Sequence, residues 1–419
     1  MTAVVGVRFD GWRVVSAVFL LFVTSAGLGF YGLAVYLDAI TDEQGFSTSS
    51  VSLATSMFFL VSAVVGRVIA RPVEAGRIRE LVAIGAVLSA ISLALLGRVT
   101  AVWQLYAVYL LFSVGFALSG MIPGTTLVTR WFHERRSVAL AVASTGLSVG
   151  GLTLTQLASW LIDREGLSGA TPWLGGIYLV LALAATPFMW PDPDRRGQLP
   201  DGRAPTEAEA AGEPPRVMGI PYGPAVQSHF FRAATGGYLL IMTAQVGGIA
   251  HIANLGTDRV DRATGALAVL ALALASVLFR LLGGVVATRV PLVGYTASLA
   301  ALQGVSLVAL AYADARVAIV GAAFVMGATV GNLLMLQALL VAEAFGVLSY
   351  ARLFSLNQLL VTIGVGLGPF LVGVLEDAVS YRLGFTIAAG CSVAGALVLS
   401  TAGSIDSARA SLSAAPRSP

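Results

Sequence analysis

Long runs of uncharged, mostly apolar residues follow one another along almost the whole chain. A helix of about 20 such residues crosses a bilayer core about 30 Å thick. Backbone groups in lipid must pair internally, so runs of this length predict helices, whereas barrel strands would alternate over about ten residues. The sequence predicts an all-α membrane protein with twelve spans: 14–37, 44–66, 81–97, 99–129, 137–162, 166–191, 233–257, 263–288, 290–313, 317–342, 353–375 and 383–405.

The spacing of these runs divides the chain into two halves of six spans each. The polar break between them holds half of the 16 prolines and many charged residues, which is typical of a disordered linker. The residues after the last span are of low complexity. The predicted organisation is an N-terminal six-helix bundle at 1–190, a cytoplasmic linker at 191–232, a C-terminal six-helix bundle at 233–405 and a disordered tail at 406–419.

Composition and charge support a membrane protein and give its orientation. Hydrophobic residues make up 57% of the chain and charged residues 11%, whereas soluble domains have about 45–50% and about 25%. Lysine is absent, and an N-terminus in the cytoplasm puts 18 of the 25 basic residues in inner segments and 6 in outer loops. Since positive residues mark the cytoplasmic side, both termini are predicted to be cytoplasmic. Topology thus explains the net charge of +3 without a nucleic-acid partner.

Other features of the composition bear on location and on cofactors. Arginine in place of lysine, together with abundant alanine, indicates a GC-rich bacterial genome, so we expect the bacterial plasma membrane. The first ten residues are too polar for a cleavable signal, and the first span would serve as the targeting signal. Cys391 is the only cysteine, which excludes a disulfide within the chain. The three histidines have no metal-ligand spacing, so we expect no metal and no cofactor.

The two halves show weak internal similarity. Three residues of the first half recur 216 positions later: Arg136, Leu140 and Gly150 return as Arg352, Leu356 and Gly366. Together with the six-plus-six layout this favours a duplication, and parallel repeats are one of the known transporter architectures. Each half also has two glycines one turn apart, which predicts close helix packing: Gly146 with Gly150, and Gly364 with Gly368.

Two motifs make the chain resemble a known family. The run DGWRVV at 10–15 is similar to an acidic–Gly–aromatic opening of the first span, and WFHERR at 131–136 is similar to an aromatic–Phe–basic run that enters the fifth span. Together they resemble the monocarboxylate porter family of the major facilitator superfamily, with its bacterial oxalate/formate-antiporter-like members. The resemblance implies two six-helix bundles around a central site and transport by alternating access.

Arg280 is the only full charge within a predicted span. It lies eight residues before Thr288, or about 12 Å along a helix, where an arginine costs at least about 2.5–3.5 kcal/mol. Its helical face is small and polar, with Ser276 and Gly283, and its helix offers no acidic residue one turn away. A structural arginine bonded to backbone carbonyls is the alternative. The resemblance implies that an arginine in the eighth span pairs with the substrate carboxylate, and Arg280 occupies that place.

His251 lies in the seventh predicted span, on one face with Gly247, Gly248 and Asn254. Histidine changes charge near neutral pH, so His251 is the candidate proton carrier. A neutral histidine bonded to a neighbouring helix explains its presence equally well.

Four further side chains are candidates for binding substrate. The resemblance aligns Tyr31 with a lysine, and Ser276 with an aspartate, of the animal members, so their proton relay does not carry over. Asn332 and Asn357 are polar residues within later spans, and each has the alternative of joining helices. The resemblance implies that antiporters of dicarboxylates carry a second basic residue in the eleventh span, and its absence here favours one small monoanion over a dianion.

The predicted function is secondary transport of small monocarboxylates such as lactate or pyruvate, in proton symport and by alternating access. An organic-anion antiporter of oxalate/formate type is the nearest alternative, and a non-transporting membrane sensor is one from another class. An enzyme is not expected, because no nucleophile, base and acid are grouped along the chain. The expected partners are the anion, the proton and the lipid bilayer, with the chain acting as a monomer.

Overall fold

The computed structural model describes residues 9–206 and 219–413, which are helical apart from short connections and an isolated bridge between Gly219 and Gly346. Within these residues, 11 helical segments are long and apolar enough to cross a membrane. One of them, Arg136–Phe188, has 53 residues and provides two spans, because the backbone at Gly166 (φ 68°, ψ 168°) breaks its helix. The prediction of an all-α fold with twelve spans is therefore confirmed.

The chain divides into two compact units, Met1–Met218 and Gly219–Pro419. In unit 1 a six-residue π-helix, Ser25–Phe30, interrupts the first span, and a break at Ser119 and Gly120 interrupts the fourth. Its α-helices are α1 Gly11–Thr24, α2 Gly32–Gln44, α3 Thr48–Glu74, α4 Ile78–Leu96, α5 Val102–Leu118, α6 Met121–Trp131 and α7 Arg136–Ala185.

Unit 2 has six long helices, with one short helix before them and one after them. Polar side chains cap the start of several of the long helices. The side chain of Ser228 accepts a hydrogen bond from the amide of Phe231, and that of Asp261 accepts one from the amide of Thr264. The helices are α8 Tyr222–Gln227, α9 His229–Arg259, α10 Arg262–Val286, α11 Leu292–Tyr312, α12 Arg316–Phe345, α13 Tyr350–Ala378, α14 Tyr381–Ser400 and α15 Ile405–Ser413.

Paired glycines bring two helices into backbone contact in each unit. In unit 1, a Cβ on Gly27 would lie 2.6 Å from the carbonyl oxygen of Gly150, so α7 presses directly on the first span. In unit 2, a Cβ on Gly247 would lie 2.8 Å from the carbonyl oxygen of Gly368, so α13 presses on α9 in the same way. The predicted close packing at these glycines is confirmed.

This crossing also corrects the register of the internal repeat. Gly150 and Gly368 occupy the same place in their units and lie 218 positions apart. The sequence analysis instead pairs Gly150 with Gly366, at 216. A Cβ on Gly366 would meet nothing within 4 Å, so Gly366 does not take part in the crossing. The duplication shows in the shared glycine contact, but the predicted pairing of Gly150 with Gly366 is wrong.

The first part of the predicted linker is folded against unit 1. Residues 189–203, called the clasp below, contain two 3₁₀ turns, Pro193–Arg196 and Pro200–Gly202. Asp10, only 3% exposed, accepts hydrogen bonds from Arg196 Nη2 (3.1 Å) and Gln198 Nε2 (3.4 Å). The clasp thereby ties the start of the first span to the chain that follows the sixth.

A second contact fixes the clasp to the connection before α7. Asp201 adopts a left-handed conformation (φ 58°) and its carboxylate accepts from the backbone amides of His133 (2.7 Å) and Glu134 (2.8 Å). The same end of the unit brings together the two motifs that carry the family resemblance, because the rings of Trp12 and Phe132 pack edge to face at 5.1 Å. Aspartate is one of the few residues that tolerate this conformation.

The prediction of disorder is therefore wrong for several segments. The clasp is ordered, and the helices α8 and α9 begin before residue 233, within the predicted linker. In the predicted tail, α15 extends to Ser413. The remaining residues of both segments, 207–218 and 414–419, lie outside the described residues.

Candidate functional site

Arg280 is buried in unit 2, where α10 packs on α12. Its side chain is 1% exposed, and its Nε donates a hydrogen bond of 2.8 Å to the carbonyl oxygen of Gly331. The rest of the helix follows the predicted orientation: Ser276 and Gly283 are buried, whereas Leu274 and Leu278 are exposed. Small residues thus lie on the buried face that Arg280 shares, and large apolar ones face outward.

Glycines on α12 make room for this arginine. A Cβ on Gly331 would lie 3.1 Å from Cβ of Arg280 and 3.0 Å from Oγ of Ser276, and one on Gly327 would collide with the carbonyl oxygen of Leu272. Because both positions are glycine, α10 and α12 approach each other closely. This approach brings the Gly331 carbonyl within reach of the guanidinium and sets the direction of the Arg280 side chain.

Asn332 lies beside Arg280 and joins the same two helices. Its Nδ2 donates to the carbonyl oxygens of Phe279 and Ala328, both at 2.9 Å, which fixes the orientation of the amide. Its Oδ1 is buried and has no hydrogen-bond partner among the described residues. A Cβ on Gly283 would collide with this Oδ1 and lie 2.8 Å from the hydroxyl of Tyr295. Tyr295, from α11, belongs to this cluster and was missed by the sequence analysis.

Asn357 belongs to a neighbouring polar network that crosses α9, α12 and α13. Its Oδ1 accepts from Gln337 Nε2 (2.7 Å), and its Nδ2 donates to Oγ1 of Thr235 (2.9 Å). Gln337 follows Asn332 by five residues, or about 7.5 Å along the helix. Asn357 therefore acts as an inter-helix link, and the network lies about one and a half turns from the Arg280 cluster. Thr235 gives no sequence signal, because single threonines are common in spans.

His251 lies in the contact of α9 with α13 and α14. A carbonyl oxygen can only accept, so the 3.0 Å contact between Nε2 and the Pro369 oxygen means that Nε2 carries a proton. Nδ1 is buried and has no partner among the described residues. The ring packs against Tyr381 at 5.9 Å. His251 thus faces α13 and α14, whereas Arg280 faces α12, so these two candidates have different surroundings within unit 2.

Tyr31 lies in unit 1, at the end of the π-helix in the first span. Its side chain is 39% exposed, and its ring packs edge to face on Phe30 at 5.0 Å. A Cβ on Gly151 would lie 2.8 Å from this ring, so the glycine makes room for the tyrosine. The hydroxyl of Tyr36 donates to the Leu28 carbonyl (3.0 Å) inside the π-helix. A π-helix within a span is a frequent mark of a functional position.

Comparison with known proteins assigns the family. The family model of the Major Facilitator Superfamily matches residues 17–254, which is more than half of the chain. The chain belongs to the major facilitator superfamily. The transporter is 28% identical over 335 residues to monocarboxylate transporter 13 of Rattus norvegicus, covering 77% of this chain and 73% of the relative. It is also 28% identical over 394 residues to human monocarboxylate transporter 11, covering 88% and 77%. Monocarboxylate porters are therefore among its relatives, as the two motifs predicted.

Solved structures confirm the fold of this major facilitator. The fucose:proton symporter of Escherichia coli superposes with a TM-score of 0.69 at 14% identity, covering 93% of this chain and 98% of the symporter. The human organic anion transporter MFSD10 gives 0.66 at 15% identity, covering 93% and 99%. Relatives and structural neighbours are transporters rather than enzymes, which confirms that this multi-pass membrane protein is a transporter.

Proposed function

We propose that this transporter carries small monocarboxylates such as lactate or pyruvate across the bacterial plasma membrane, each with one proton, by alternating access. The observation that carries the proposal is Arg280, an arginine that is 1% exposed within a membrane-spanning unit. Charged residues within spans are expensive and mark substrate or ion pathways. The monocarboxylate transporters among its relatives support a carboxylate as the substrate.

The local geometry supports a role in binding a carboxylate. The bond from Nε to the Gly331 carbonyl holds the guanidinium plane in one orientation. A guanidinium can donate two parallel hydrogen bonds to both oxygens of a carboxylate, which a lysine cannot do. The helix α10 contains no acidic residue, so its own sequence supplies no counter-ion, and a bound anion would balance the arginine.

Neighbouring polar groups would bind the rest of the substrate. Ser276 lies one turn before Arg280, and the Oδ1 of Asn332 is an acceptor of the kind that the hydroxyl of a 2-hydroxy acid requires. Asn357 would add a polar contact in unit 2, and Tyr31 would add one in unit 1. Binding at Arg280 would neutralise the site and so favour the closed state through which the loaded carrier must pass.

His251 would carry the proton. Because Nε2 donates to Pro369, a second proton would go to Nδ1, where no partner among the described residues competes for it. One proton moving with one monoanion makes transport electroneutral. The transporter would act as a monomer with both termini in the cytoplasm, as the distribution of arginines indicates.

Three variants test the carboxylate site. Arg280→Lys keeps the charge but loses the planar fork, and Arg280→Leu loses both, whereas Arg289→Lys is a matched control at an exposed arginine. A ligand that binds only the folded protein raises its melting temperature, and the rise grows with the ratio of ligand concentration to Kd, so lactate and pyruvate should stabilise the parent protein and Arg289→Lys. Both Arg280 variants should bind at least about tenfold more weakly, because a hydrogen bond to a charged group contributes about 1.5–3 kcal/mol.

A purely structural role of Arg280 predicts a different pattern. Arg280→Leu would then express poorly or melt early, and Arg280→Lys would keep the ligand-induced shift. A normal shift in a folded Arg280→Leu protein would refute the carboxylate site.

Uptake into proteoliposomes tests the coupling. Lactate uptake should follow an inward proton gradient and be insensitive to a valinomycin-clamped voltage. Uptake that needs an organic anion inside the vesicles instead of a proton gradient would identify an exchanger.

A further inference from the structure

A basic pocket lies where α3 ends and α4 begins, on one side of unit 1. Its cavity of about 260 Å³ is separate from the Arg280 cluster, and the proposed transport function does not use it. Three arginines and one glutamate in its lining give it a net positive charge. The lining residues used in the argument below are Gly76, Arg77, Arg79, Glu80, Trp190 and Arg195.

The three arginines differ in how the protein holds them. Arg77 pairs with Glu80 at 2.7 Å, and both side chains are more than half exposed. Arg79 Nη2 donates to the carbonyl oxygen of Pro187 (3.0 Å), a bond to a neutral group that leaves its charge uncompensated. The side chain of Arg195 has no hydrogen bond or ion pair among the described residues, and a Cβ on Gly76 would lie 3.5 Å from its Nη2. Two positive charges therefore point into the cavity without an acidic partner.

The pocket lies beside the connection between the second and third spans, α3 and α4, which puts it at the boundary between membrane and water. Below it, the exposed apolar side chains of α4 continue the line of Arg77 and Glu80 at helical spacing: Ile84, Val87 and Ile91. On the other side of the cavity, Phe188 is exposed and packs on Trp190 at 6.1 Å. Tryptophan is enriched at this depth of a bilayer. The positively charged cavity is thus adjacent to the exposed apolar face of α4, which is called the apolar wall below.

We infer that this pocket binds the phosphate of an anionic phospholipid, with the acyl chains lying along the exposed face of α4. Guanidinium groups bind phosphate oxygens through two parallel hydrogen bonds, and basic pockets between helices are typical headgroup sites. A free phosphate ion would use the arginines but not the apolar wall. A lipid is favoured because the cavity and the exposed apolar side chains lie along the same face of α4.

Binding to purified protein in detergent tests this inference. The probes are phosphatidylglycerol, phosphatidylcholine with the same acyl chains, and inorganic phosphate, and the readouts are native mass spectrometry and the melting temperature. The variants are Arg195→Gln and Arg77→Gln, with Arg98→Gln as a matched control, because Arg98 is an exposed arginine at the opposite end of α4. Each basic residue near an anionic surface contributes roughly a fivefold change in affinity.

We expect phosphatidylglycerol to bind and stabilise the parent protein and Arg98→Gln, and to bind about fivefold more weakly to Arg195→Gln and to Arg77→Gln. Arg195→Gln is the decisive variant, because that side chain supports no contact of the fold described above. Equal loss in Arg98→Gln would show a general charge effect and overturn the site. Equal stabilisation by phosphatidylcholine, or by inorganic phosphate alone, would overturn the assignment to an anionic lipid.

Discussion

Two glycines in the middle of the eleventh span allow a sharp test of the helix crossing. Gly366 and Gly368 lie two residues apart in the same helix, α13. A Cβ on Gly368 would collide with the carbonyl oxygen of Thr243 and lie 2.8 Å from the amide nitrogen of Gly247, whereas one on Gly366 would meet nothing within 4 Å. Alanine at the two positions should therefore have opposite effects on stability.

The size of the effect follows from the geometry. Ordinary carbon contacts begin near 3.4 Å, so at 2.8 Å the new methyl group is about 0.6 Å too close to the Gly247 nitrogen. The opposing atoms are backbone, so no side-chain rotation can relieve the overlap, and overpacking of this kind costs about 1–3 kcal/mol. Alanine also gains up to about 1 kcal/mol of helix propensity over glycine. Gly368→Ala should lose about 1–2 kcal/mol, and Gly366→Ala should gain about 0.5–1 kcal/mol.

Thermal melting of the two purified variants in one detergent measures this difference. Gly368→Ala should melt several degrees below the parent protein, and Gly366→Ala at or slightly above it. Gly150→Ala, the equivalent change in unit 1, should resemble Gly368→Ala, because its Cβ would lie 2.9 Å from the amide nitrogen of Gly27. Equal melting temperatures for the two α13 variants, or a larger loss at Gly366, would refute both the crossing and the corrected repeat register.

Three other predictions concern coupling, acid sensitivity and topology. His251→Gln should bind lactate but lose uptake driven by a proton gradient, and retained uptake would exclude His251 as the carrier. Hydrogen bonds at the start of α10, and next the ion pair with Arg316, hold the pKa of Asp261 below its usual value. Their stabilisation is complete above about pH 4 and is lost as the pH falls through the lowered pKa, so Asp261→Asn should flatten the drop in melting temperature below about pH 4. With Cys391 removed, Ala204→Cys should react with an impermeant thiol reagent only after cells are opened, and labelling of intact cells would contradict cytoplasmic termini.

The pattern of hydrophobic residues was sufficient to predict the membrane-spanning helices and the buried face of α10 on which Arg280 lies. A charged residue must avoid lipid, so Leu274 and Leu278 had to point outward and Ser276 inward, as the structure has them. The family could be inferred because its motifs are local in sequence. These features follow from the nearest residues along one helix, which a single sequence contains in full.

Contacts between distant segments could not be predicted in the same way. The spacing of Gly364 and Gly368 predicted a packed face, but only the position of the facing helix shows that Gly366, which the repeat pairs with Gly150, makes no contact. Tyr295 joins the Arg280 cluster through the packing of α11, for which its own sequence gives no signal. The sequence shows that His251 is a polar residue within a span, but it does not show which neighbouring helices its ring faces.

The clasp shows why composition misled the sequence analysis. A segment rich in proline and charge has little apolar surface to bury, so it is typical of disorder. Its order comes from partners elsewhere: Asp10 binds Arg196 from 186 positions away, and Asp201 binds the amides that precede α7. Hydrogen bonds to these two carboxylates order the segment in place of the apolar burial that orders the spans, and an average over the composition does not detect them.

The clasp also has a mechanical consequence for the way in which unit 1 can move. Because the segment after the sixth span is fastened to the start of the first, the polypeptide of this unit is closed into a ring, with its two ends held at one place. A pull on the chain beyond residue 203 is therefore shared between the first span, the clasp and the connection before α7, instead of peeling one helix from the edge. The start of the first span therefore cannot separate from the end of the sixth unless the contacts of the clasp break.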